Sequence, residues 1–106
     1  MTPDEKNQLE ERVILTLKTI YDPEIPVDIY ELGLVYNVEV GDDAGVRVTM
    51  TLTSPSCPVA ESLPAEVEEK VAQTTGVNSA KVDLTFEPPW TRDMMSEAAQ
   101  LELGFM

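Results

Sequence analysis

The chain has 106 residues, 42% apolar and 25% charged, which fits one soluble globular domain able to bury a core without metal or disulfide staples. Its 20 Asp and Glu against 7 Lys and Arg give a net charge of −13. That balance counts against nucleic acid and anionic membrane surfaces, both of which are held by Lys and Arg. With no His and a single Cys, the sequence excludes His general-base catalysis, His-containing metal sites, intrachain disulfides and Cys-x-x-Cys motifs.

The acidity is that of a solvated surface or of a surface for a basic partner protein. No apolar run approaches the roughly 20 residues that cross a membrane. Met1-Thr2-Pro3-Asp4-Glu5-Lys6 has neither the basic flank nor the apolar stretch of a signal peptide, so a cytoplasmic location is expected.

In chain order, the first predicted element is an amphipathic helix over about residues 3–20. Thr2 and Glu5 form a capping box around Pro3, and Leu9, Val13, Leu17 and Ile20 mark the buried stripe, widened by Ile14. Pro23 and Pro26 forbid its continuation, and Asp28 can cap a short turn through Leu32 that Gly33 ends. A strand follows, with Leu34, Tyr36, Val38 and Val40 on one face and Val35, Asn37 and Glu39 on the other. Gly41-Asp42-Asp43-Ala44-Gly45 reads as a hairpin loop. In the second strand Val46, Val48, Met50 and Leu52 alternate with Arg47, Thr49, Thr51 and Thr53, a half-buried pattern of period two.

A second helix is expected over about 58–75, with Val59, Leu63, Val67 and Val71 inward, Gly76 as its left-handed cap and Pro64 producing a kink or a break. A third strand over about 80–86 carries Val82, Leu84 and Phe86 on one face. After a Glu87-Pro88-Pro89-Trp90 turn a short helix is expected over about 92–102. The order α-β-β-α-β-α predicts an α+β, two-layer domain: a small mixed sheet with helices packed on one face, forming a single domain over 1–106. If the second and third strands are parallel, their helical crossover should be right-handed.

Between strand two and helix two lies Thr53-Ser54-Pro55-Ser56-Cys57-Pro58. Pro58 disfavours helical geometry at Cys57 and so points to Cys57 as the cap of the second helix. A sulfur there faces unsatisfied N–H groups and the positive end of the helix dipole, which favour the thiolate. Ser54 and Ser56 can add hydroxyl donors, and Glu61 opposes the effect. A lone Cys is equally at home as a small buried apolar residue, so local context leaves packing and function both open.

A catalytic thiol needs a positioned base, and Asp22, Glu24, Asp28 and Glu87 are scattered carboxylates with no pairing that singles out two of them. The five glycines form no phosphate cradle, so no nucleotide is expected. The chain is read as a non-enzyme. Iron–sulfur clusters normally take four thiolates, and one chain supplies one. Any cluster or iron would therefore be held transiently, with ligands from a client, a small thiol or a second copy in a homodimer.

Three stretches together resemble a known family: Tyr21 to Tyr36 (YDPEIPVDIYELGLVY), Thr49 to Pro58 (TMTLTSPSCP), and Phe86 to Ser96 (FEPPWTRDMMS) with Leu103-Gly104-Phe105. They resemble the SufT-like and PaaD-like iron–sulfur assembly proteins, relatives of the cytosolic iron–sulfur targeting factors. The resemblance implies an iron–sulfur assembly domain that matures or delivers clusters, with assembly proteins and client apoproteins as partners. It places the family's reactive cysteine on Cys57 and its Asp-Pro-Glu element on Asp22, Pro23 and Glu24 nearby, with Thr53, Ser54 and Ser56 in the supporting loop. The alternative for Asp22 and Glu24 is a plain turn; Trp90 is either a lid on the core or a partner contact. PaaD-like members carry a further cysteine-rich region, which this sequence lacks, so the short SufT-like branch is expected over a subunit of an aromatic-degradation oxygenase. A metal-free adaptor in the assembly machinery is the competing function.

Overall fold

The computed structural model describes residues 2–21, 26–52 and 62–104. Helix α1 runs Pro3–Leu17, and its N-terminus is the expected capping box: the Thr2 hydroxyl accepts from the Glu5 amide (3.2 Å) while the Glu5 carboxylate accepts from the Thr2 amide (3.0 Å). Such a cap contributes about 1 kcal/mol. Leu9, Val13 and Leu17 are each buried, at about 2 kcal/mol apiece, so packing outweighs the cap in holding α1. The helix ends three residues before the expected boundary, yet Ile20 still reaches the core.

Strands β1 (Val35–Val40), β2 (Gly45–Met50) and β3 (Ser79–Leu84) form a sheet in the order β1-β2-β3. β1 pairs antiparallel with β2 through the 41–45 hairpin, and β3 pairs parallel with β2. Helix α2 (Ser62–Ala72) makes the crossover between the parallel strands. α1 packs on β1, α2 on β3, and the two helices on each other. Beneath them lie Val46, Val48 and Met50, so the period-two pattern of β2 does face the core. The opposite face carries Asn37, Glu39, Arg47, Thr49, Lys81 and Asp83, with Arg47 and Asp83 paired at 3.1 Å. The α+β class and the α-β-β-α-β-α order are those expected.

Four local expectations are corrected. The β1–β2 register shifts between Val35 and Asn37, so Tyr36 is an extra residue and Val35 stands opposite Met50, packed on the core. The strict alternation read for β1 fails there because a bulge moves one residue to the other face. Thr51, placed with the solvent-facing threonines, is fully buried. From Ser62 onward α2 is continuous through Pro64. α2 ends at Ala72, and Gly76 follows at φ 96°. The C-terminal helix is divided into a 3₁₀ turn (Arg92–Met94) and α3 (Glu97–Glu102). Between them Met95 is extended and buried, the Ser96 amide donates to the Glu31 carbonyl (2.8 Å), and the Ser96 hydroxyl caps α3 through Ala99. Burying Met95 and tying Ser96 to a distant carbonyl cannot be combined with an unbroken helix.

Candidate functional site

Cys57 and its supporting Thr53, Ser54 and Ser56 lie outside the described residues, as do Asp22 and Glu24 and the expected start of the second helix at 58–61. What the structure places are the anchors of both segments. The stretch that holds Cys57 is flanked by Leu52, which is buried, and by Ser62, the start of described α2. The segment holding Asp22 and Glu24 is closed by an antiparallel bridge between Tyr21 and Asp28.

These two sets of anchors are joined by a short backbone relay. The Thr51 amide donates to the Leu34 carbonyl (2.8 Å), the Leu34 amide to the Ile29 carbonyl (3.1 Å), and the Ile29 amide to the Ile20 carbonyl (2.8 Å). Three hydrogen bonds thus connect the residue before Leu52 to the residue before Tyr21. The intervening turn forms as its sequence suggests. The Asp28 carboxylate accepts from the Glu31 amide (3.0 Å), and Gly33 at φ 81° lets the chain reverse into β1. Ile29, Leu32 and Leu34 are buried beneath it.

The third stretch closes over the same end of the sheet. Trp90, half-buried against the core, donates from its indole nitrogen to the Leu32 carbonyl (2.8 Å). Tyr36 donates from its hydroxyl to the Pro88 carbonyl (2.8 Å), a contact made available by the bulge that displaces it. A Cβ on Gly33 would lie 2.2 Å from the Met94 carbonyl oxygen, so only glycine permits this approach. Gly33, Val35, Tyr36, Pro88 and Met94 line a shallow groove where the stretches meet. The described parts of all three stretches therefore converge at the C-terminal end of β2.

Two features of this end were not legible in the sequence. Thr51, one residue before Leu52, has a buried hydroxyl with no hydrogen-bond partner among the described residues. Lys18, the C-cap of α1, reaches over to the 26–34 turn, with its Nζ 3.8 Å from the Glu31 carboxylate and 5.3 Å from the centre of the Tyr30 ring. The spacing of threonines in β2 carries no signal for the first, and only the end of α1 so close to the turn brings about the second.

Among the described residues two carboxylates are held by specific partners. Glu5 is held below the usual carboxylate range by its hydrogen bonds to Thr2, and Asp42 by its hydrogen bond to and the charge of Lys6. Both lie toward the hairpin end of the sheet, away from the anchors. Among the described residues no group of three or more His, Cys, Asp and Glu side chains is arranged to hold a metal ion, and no helix is long and apolar enough to cross a membrane.

Residues 10–84 match the family described as iron–sulfur cluster assembly protein. The chain is 58% identical over 99 residues to a protein of Porphyromonas gingivalis named Fe-S protein maturation auxiliary factor, covering 93% of this chain and 94% of that one. It is 41% identical over 85 residues to the Fe-S protein maturation auxiliary factor SufT of Staphylococcus aureus, covering 80% and 97%. A crystal structure of a DUF59 domain from Bacillus anthracis superposes with a TM-score of 0.91 at 32% identity, over 99% of this chain and all of that one. On the match of its sequence and the agreement of its fold, the chain belongs to the iron–sulfur cluster assembly protein family, together with its SufT-like relatives.

Proposed function

We propose that this protein is a non-enzymatic iron–sulfur maturation factor that passes clusters to client apoproteins, with Cys57 as its reactive ligand. The observation that carries the reading is the convergence just described. The anchors of the Cys57 loop and of the Asp22–Glu24 segment sit three backbone hydrogen bonds apart, and the Trp90 segment closes over the same end. The names of the relatives support the same assignment.

The cluster is cargo in this scheme. A chain with one Cys and no His cannot complete the four-thiolate set of a cluster, so ligands must come from the client, a small thiol or another copy. Incomplete coordination suits release, because a carrier that supplied all four ligands would compete with its client. Cys57 supplies one thiolate, and its reactivity depends on the fraction deprotonated. Assembly proteins and client apoproteins are the partners, in the cytoplasm.

Anaerobic reconstitution with iron and sulfide, comparing wild type with Cys57→Ala, tests the assignment. Visible cluster absorbance in the wild type that is lost in Cys57→Ala, with unchanged circular dichroism, is the expected result. Absorbance in neither protein, while both still stimulate maturation of an apoprotein, would replace it with a metal-free adaptor. Equal absorbance in both would remove Cys57 from the cluster.

A further inference from the structure

We infer that the outer edge of β3 is a self-complementary interface through which two copies of this chain pair antiparallel about a two-fold axis at Val82. The sheet order leaves β3 as an edge, and no described residue pairs with its outer side. Just past the strand, the Thr85 amide donates to the Met50 carbonyl of β2 (2.9 Å). Backbone groups alternate in direction along a strand, so Lys81 and Asp83 turn theirs toward β2 while Ala80, Val82 and Leu84 turn theirs outward. An unpaired row of this kind is a template for another strand.

The side chains specify which strand. With Val82 opposite its own copy, Lys81 stands opposite the second copy's Asp83, Asp83 opposite its Lys81, and Ala80 opposite its Leu84. Val82–Val82 and Ala80–Leu84 are then hydrogen-bonded pairs. Lys81–Asp83 are the closer non-hydrogen-bonded pairs, in which opposite charges attract most effectively. Lys81 is exposed and makes no ion pair among the described residues, while Asp83 already holds Arg47 at 3.1 Å. Pairing places the second copy's Lys81 on that same carboxylate. Leu84, 40% exposed, gains cover against the second copy's Ala80.

The net charge of −13 opposes any association, but Ser79–Leu84 carries one Lys and one Asp and is locally neutral. The other edge lacks these properties. β1 is bulged at Tyr36, and its one charge, Glu39, would face Asn37 in the equivalent pairing about Val38. A closed two-fold contact of this kind joins two three-stranded sheets into one of six. It also sends the two Leu52 anchors toward opposite ends of that sheet, and no residue of the pairing belongs to the stretch that holds Cys57. Its test needs no iron, and its failure would leave the proposed function untouched.

Sedimentation equilibrium of the full chain, with amide exchange followed residue by residue, provides that test. The wild type should approach twice 11.7 kDa with rising concentration. The amides of Val82 and Leu84 should gain protection in step, while those of Lys81 and Asp83 are protected throughout. Lys81→Asp and Asp83→Lys should each weaken self-association at least about tenfold, because both cross-strand pairs become like-charged, and a mixture of the two variants should associate again. A wild type that stays at 11.7 kDa up to roughly millimolar concentration would overturn the inference. So would Val82 exchange that ignores concentration, Lys81→Asp associating as well as the wild type, or β3 amides protected only by a different added protein.

Discussion

The indole nitrogen of Trp90 donates to the carbonyl of Leu32, a residue 58 positions earlier and fully buried, at 2.8 Å. This bond fastens the C-terminal segment to the turn that precedes β1. A buried carbonyl left without its donor costs roughly 1–3 kcal/mol.

Trp90→Phe keeps an aromatic ring on the core and removes only the donor and part of the contact area. Urea denaturation should register a loss of about 1–2 kcal/mol with an unchanged m value. A Trp90 that served only as a partner contact would leave the stability of the isolated chain where it was.

Thr51 gives the opposite sign. Its hydroxyl is buried without a partner among the described residues, and within them it carries a desolvation cost. Thr51→Val keeps the shape and the bond from the Thr51 amide to Leu34. Thermal unfolding should show stability unchanged or raised by up to about 1 kcal/mol. A loss above that size would mean that the hydroxyl has a partner in the folded protein.

At the far end of the sheet, Lys6 lowers the pKa of Asp42 by a hydrogen bond and by its charge. A depressed folded-state value means that this pair stabilises the fold above the unfolded carboxylate pKa. The contribution fades as pH falls through the folded one. An NMR titration of the Asp42 carboxyl should find it below the ordinary aspartate range, and Lys6→Ala should return it toward that range. High salt should do the same in part, because both groups are solvent-accessible. An unchanged titration in Lys6→Ala would reject the pairing.

Much of the fold is written locally. Thr2 and Glu5 declare the start of α1, Leu9, Val13 and Leu17 its buried face, and Val46, Val48 and Met50 the inner face of β2. Asp28 and Gly33 bound their turn within six residues. Caps, turns and periods act between residues a few positions apart, so the sequence alone exposes them. The candidate site was legible in a different way: its three stretches can be quoted from the chain, but nothing in their spacing says that they meet.

That meeting is a tertiary fact. The sequence by itself determined the element order, the lone Cys57 and the absence of any His to assist it. Only the folded chain decided that the anchors of Cys57 and of Asp22 and Glu24 share one end of the sheet, under a segment tied down at Leu32. The bulge at Tyr36, the burial of Thr51 and the break at Met95 arise there for the same reason. Each goes with a contact to a residue distant in sequence, such as Pro88 for Tyr36 or Glu31 for Ser96, and no local periodicity encodes such a partner.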